Sequence, residues 1–89
     1  MSILEIEAEE LNIGSVDITD TELRVTLRDG RVISTPLWWY PKLFRASPEQ
    51  RANFEIMPVG IHWPEIDEDL SVAGMLSGQK APGAVKPAR

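Results

Sequence analysis

Eighty-nine residues are enough for one domain, and a chain this short buries only about 60% of its unfolded surface, so its core has to be compact and self-association is open to it. The absence of cysteine excludes a disulfide framework and thiolate metal sites, and it fits a reducing cytoplasm. The net charge of −5 understates the acidity, because residues 1 to 76 hold six basic against fourteen acidic groups, a net −8, which repels phosphate backbones and speaks against direct nucleic-acid binding by this chain alone.

The opening residues lack the basic and apolar regions of a signal peptide, and no apolar run approaches the roughly 20 residues that span a bilayer. A soluble cytoplasmic protein with no membrane partner is therefore expected. Residues 1 to 12 mix Ile3, Leu4, Ile6 and Leu11 with four glutamates and read as a loosely ordered arm leading to strand order near Ile13. From Gly14 onward Ser15-Val-Asp-Ile-Thr19 alternates in period two, Asp20-Thr-Glu22 offers a turn, and Leu23, Val25 and Leu27 alternate with charged or polar neighbours. Asp29-Gly30 supplies a tight turn, and Arg31 to Thr35 returns as a third strand until Pro36 removes a ladder donor. A two-residue loop would pair Leu27 with Val32, whereas a bulged three-residue loop would set Val25 opposite Ile33; the sequence leaves both open.

Leu37 to Phe44 leaves the sheet, with Pro41 suited to the first position of a short covering helix. Ser47, Pro48, Glu49 and Gln50 form a second helix start with the spacing of a capping box, and that helix should reach Asn53. Phe54-Glu-Ile56 and Gly60-Ile-His-Trp63 are short strand candidates expected to extend the meander. Ser71 to Leu76 reads as a last helical turn with Gly78 as its stop, followed by a disordered basic tail over residues 79–89. The expectation is a single α+β domain over residues 1–78: a small two-layer fold in which an antiparallel meander, about residues 13–36, is covered by short helices and joined by one or two further short strands.

Several residues invite chemistry. Glu65, Asp67, Glu68 and Asp69 lie close together, but the Asp-x-Asp-x-Asp-Gly spacing of a calcium loop is missing, so they read as a solvated loop near a helix N-terminus and no metal or cofactor is expected. His62 is the one histidine; a general base needs a nucleophile, an orienting acid and an oxyanion hole, and the sequence assembles no such set. Asp67 is its natural partner if there is chemistry at all. Trp38, Trp39 and Tyr40 supply either core or contact surface, read as one buried tryptophan with the other and Tyr40 half exposed. Arg45 and Arg51 sit on the short helices, where solvation or a local ion pair is the ordinary role.

The segments Leu27-Arg-Asp-Gly30, Pro36-Leu-Trp-Trp-Tyr-Pro-Lys-Leu43, Ala46-Ser-Pro-Glu-Gln-Arg-Ala-Asn53 and Gly60-Ile-His-Trp-Pro-Glu-Ile-Asp-Glu-Asp-Leu-Ser-Val72 together resemble the bacterial domain-of-unknown-function family numbered 2442, in particular its short cyanobacterial-type members. The resemblance spans about residues 13 to 78 and implies a small two-layer α+β domain with no established activity, cofactor or catalytic residues. Family members are often encoded beside a small protein treated as a toxin, so the resemblance implies an antitoxin-like role. Some relatives carry a helix-turn-helix segment where this chain has its short basic tail, and many carry a longer glycine-rich loop where it has Met57-Pro58-Val59.

The leading expectation is thus a non-catalytic interaction module whose acidic surface meets a small, basic, toxin-like protein, with Trp39, Tyr40, Arg45, Arg51, His62, Trp63 and Asp67 as candidate contacts. The rival is a small-ligand binder or hydrolase-like enzyme that uses His62 with Asp67 or Glu65 in a shallow cleft under Trp63. A homodimer joined through sheet edges or the aromatic face is compatible with the first reading.

Overall fold

A computed structural model describes residues 12–88; of the arm expected over residues 1 to 12, all but Asn12 lies outside them. Strands β1 (Ile13–Ile18), β2 (Glu22–Leu27) and β3 (Val32–Pro36) form the expected antiparallel meander in the order β1-β2-β3. The turn between β1 and β2 is closed by Thr19, whose hydroxyl accepts the backbone N–H of Thr21 at 3.2 Å and of Glu22 at 3.0 Å. At the second turn the bulged alternative holds: Val25 faces Ile33, Gly30 adopts φ 97°, and the Leu27 N–H donates to Arg31 O at 2.8 Å. Asp29 fixes this loop by accepting the Arg31 backbone N–H at 3.0 Å and its Nε–H at 2.7 Å.

A 3₁₀ turn at Leu37–Trp39 leads into α1 (Pro41–Phe44) and α2 (Pro48–Ala52). The capping box is complete, with Gln50 N–H on Ser47 Oγ at 3.1 Å and Ser47 N–H on Gln50 Oε1 at 3.0 Å. Helix α3 (Val72–Ser77) is capped by Ser71, which accepts the Gly74 N–H at 2.9 Å, and stops at Gly78 in the left-handed region, as the sequence indicates. No helix among the described residues is long and apolar enough to cross a membrane.

The α+β class holds, but the later strands do not extend the meander. β4 (Glu55–Met57), β5 (Gly60–Trp63) and β6 (Glu68–Ser71) make a second antiparallel sheet in the order β4-β5-β6. β6 was hidden by its carboxylates: Glu68-Asp69-Leu70-Ser71 reads as a polar loop until β5 offers it a ladder. The two sheets meet where Ile13 N–H donates to Pro58 O at 3.0 Å, and Val72 N–H donates to Val59 O at 2.9 Å at the start of α3. Between them lies a core of Leu23, Val25 and Leu27 from β2, Leu37, Tyr40 and Leu43 from the helical connection, Ile61 and Trp63 from β5, and Val72 and Met75 from α3. Alternation buries one face of β2 and of β5, because a period-two apolar pattern places successive inward residues on the same side, whereas β4 is exposed along its whole length.

Candidate functional site

The second sheet sets the positions of the chemically interesting side chains. Its register places Glu55, His62 and Asp69 in one row and Trp63 opposite Glu68, so His62 and Asp69 share the outer face while Ile61, Trp63, Glu68 and Leu70 share the inner one. His62 Nδ1 lies 2.7 Å from Asp69 Oδ1, an ion pair when the imidazole is protonated. The partner of His62 is therefore Asp69 and not Asp67 or Glu65. Asp67 instead occupies the turn before β6 at φ 53°, where its carbonyl accepts a hydrogen bond from Lys42 Nζ at 3.0 Å, and Glu65 accepts one from Asn53 Nδ2 at 2.8 Å.

The aromatic and arginine candidates are mostly structural. Tyr40 is 1% exposed, and its hydroxyl donates to Thr35 Oγ1 at 2.9 Å. The expectation of a half-exposed Tyr40 fails because this internal partner satisfies the hydroxyl that would otherwise seek water. Trp38 and Trp39 are both half-buried, and the fully buried tryptophan is Trp63, whose Nε1–H donates to Arg51 O at 3.0 Å. Arg51 caps the end of α1 by donating to Leu43 O at 3.1 Å and Phe44 O at 2.8 Å, and its Nη1 lies 3.4 Å from Asp20 Oδ1. Arg45 is exposed at the C-cap of α1. Of the seven candidate contacts, then, Tyr40, Trp63 and Arg51 are committed internally, while Trp39, Arg45, His62 and Asp67 keep surface.

The concave feature leaves out His62 but takes in its partner Asp69. A groove of about 700 Å³ runs between the inner side of the second sheet, α3 and residues 79–82, with Met57, Val59, Ile61, Leu70 and Met75 among its lining. Met57 and Val59 are each 45% exposed at its edge. Its far wall begins the tail: Ala81 N–H donates to Trp39 O at 2.9 Å and Lys80 Nζ sits 4.7 Å from the centre of the Trp39 ring. His62 lines neither this groove nor a smaller one of about 270 Å³ between β1 and α2.

Glu68, expected with Glu65, Asp67 and Asp69 in a solvated loop, is instead a buried strand residue in this lining. It is only 9% exposed, and burial raises its carboxyl above the ordinary 4.5, an effect partly offset by Lys42 and by the Asp69 backbone N–H that the carboxylate accepts. Burial likewise raises the Tyr40 hydroxyl, with the Thr35 hydrogen bond acting against it and the Glu68 charge with it. The signal that could have found Glu68 is period two: Glu68 and Leu70 alternate with Asp69 and Ser71 after a turn, opposite the strand that carries Trp63.

Comparison with known proteins agrees with this architecture. The profile of the family described as "Protein of unknown function (DUF2442)" matches residues 13–81. The solution structure of an uncharacterized protein from Chromobacterium violaceum superposes with a TM-score of 0.67 at 24% identity, covering 81% of this chain and 70% of that one, and shares the fold. The crystal structure of a protein of unknown function from Rhodospirillum rubrum gives a TM-score of 0.68 at 27% identity, covering 82% of this chain and 93% of the other. No curated protein matches the chain.

Proposed function

The chain belongs to the DUF2442 family, and on that premise we propose that it is a non-catalytic protein-interaction module, the antitoxin-like member of a cytoplasmic two-protein pair, which receives a segment of a small basic partner in the groove beside α3. The observation that carries this reading is the groove itself: about 700 Å³ of concave surface with apolar Met57 and Val59 left exposed at its edge, on a chain of net charge −5. An open apolar cleft on an acidic domain suits a partner of opposite charge that brings apolar side chains. The test is affinity capture of the tagged chain from its native lysate, with retained proteins identified and their stoichiometry measured, followed by binding of the purified partner to the chain and to its Val59→Lys variant. A small basic protein at near-equal stoichiometry, bound more weakly by the variant, supports the reading. Recovery of the chain alone defeats it and leaves self-association as the remaining use of the surface.

The rival chemistry has one observation in its favour, the 2.7 Å contact between His62 and Asp69, which resembles the base-and-orienter half of a hydrolytic site. It needs a concave pocket around the imidazole as well, and His62 stands on the outer face of the second sheet beside an Asp69 side chain that is 71% exposed. Turnover of model esters by the wild type and not by His62→Gln would favour the enzyme over the module.

A further inference from the structure

A buried carboxylate in an apolar setting ordinarily has a cation against it, since leaving the charge dry and unpaired is costly. Glu68 has none: among the described residues it makes no ion pair. Lys42, whose charge acts on Glu68 from beyond ion-pair distance, donates to Asp67 O at 3.0 Å, and Lys80, on the same lining, sits over the Trp39 ring at 4.7 Å. Its one hydrogen bond from a backbone N–H leaves acceptor capacity on the carboxylate. This side chain lines the groove together with Ile61, Leu70 and Met75; Asp69, which pairs with His62, and Lys80 lie on the same lining, so the cleft combines apolar surface with one buried carboxylate.

We propose that Glu68 is the specificity-determining contact of the groove, and that the groove takes the side chain of a lysine or arginine whose aliphatic stem lies along Val59, Ile61 and Met75 while its charged head pairs with the Glu68 carboxylate. The occupant is a segment of a basic protein partner, as charge complementarity with an acidic body requires, and to that extent the inference rests on the function proposed above. Long cationic side chains fit such a cleft because their methylenes bury apolar area while the head keeps a polar contact. A neutral or acidic segment of equal length would leave Glu68 dry and unpaired, so the carboxylate selects as well as binds.

The pocket is tested without any partner, by titrating n-hexylammonium into the isotope-labelled full chain, following backbone amide shifts, with n-hexanol as the uncharged control. The wild type should bind hexylammonium more tightly than hexanol, with the largest shifts at Ile61, Glu68, Leu70 and Met75. Glu68→Gln, which keeps shape and hydrogen-bonding capacity, should lose about tenfold in affinity for the cation and little for the alcohol. Val59→Lys, a change at an exposed position, should weaken the cation by placing a like charge at the mouth of the groove. Equal binding of cation and alcohol by the wild type, or no loss in either variant, overturns the proposal. A captured partner that binds Glu68→Gln as well as wild type would likewise overturn it while leaving the interaction module intact. The absence of any partner would defeat the module and leave the titration to judge the pocket.

Discussion

Glu68 also governs how stability responds to pH, and the sign follows from its burial. Its carboxyl titrates above 4.5 in the fold, so in the window from 4.5 upward the native state holds a proton that the unfolded chain has released. Stability from this group is therefore present below 4.5 and declines as pH rises to the raised value, above which burial penalises a full charge. Lys42 opposes the shift, while Asp67 and Asp69 reinforce it. Glu22, lowered by hydrogen bonds from Ser34 and Arg24, and Asp29, lowered by Arg31, act in the opposite sense, losing stability as pH falls below their ordinary 4.5 and 3.8. Urea midpoints measured from about pH 4.5 to about pH 8 should fall more steeply for the wild type than for Glu68→Gln; parallel curves would mean that the carboxylate is better solvated than its burial indicates. The Tyr40 hydroxyl gives a second residue-scale expectation. Tyr40→Phe leaves the Thr35 hydroxyl, in a side chain 4% exposed, without its partner and should lower stability by about 1 kcal/mol, read as a lower urea midpoint at unchanged slope.

Elements specified by near neighbours could be read from the sequence, and those specified by distant ones could not. The Ser47–Gln50 box, Pro41 at the head of α1, and the Ser71 cap with the Gly78 stop each depend on atoms within a few residues, and each was expected where it stands. β6 depends on β5, and the pairing of His62 with Asp69 depends on that register, so an acid two residues away from the expected one turned out to be the partner. The same ladder makes a sharp demand at Gly60. A Cβ built there would stand 2.9 Å from Leu70 O, a backbone atom that cannot retreat without opening the β5–β6 pairing. Gly60→Ala should therefore cost about 1–3 kcal/mol, with faster amide exchange in β6 as the local signature. Ser47→Ala, which removes a cap and causes no clash, should cost about 1 kcal/mol and leave β6 exchange unchanged. Equal exchange in the two variants would show that the second sheet does not depend on the close approach at Gly60.

At the scale of the whole molecule, the tail is tied to both the charge and the shape of the binding face. The acidity of the body was evident from composition, but the groove was not, because its walls come from β4, β5, β6, α3 and residues 79–82, which only the fold brings together. The tail expected to start at residue 79 has Ala81 hydrogen-bonded to Trp39 and Lys80 over the same ring, so its first residues form part of the cleft. Truncation after Gly78 should then act on binding in two opposed ways. It removes Lys80, Lys86 and Arg89, taking the formal charge from −5 to −8, which strengthens long-range attraction for a basic partner and raises the association rate most at low ionic strength. It also removes one wall of the groove and the contacts on Trp39, which shortens the lifetime of the bound state, since short-range contacts act mainly on dissociation. Surface-plasmon measurements at two salt concentrations separate the effects: the truncated chain should associate faster at low salt, lose that advantage at high salt, and dissociate faster at both. Dissociation unchanged by truncation would place the partner away from residues 79–82 and move the search for its footprint to Trp39, Arg45 and the His62–Asp69 face.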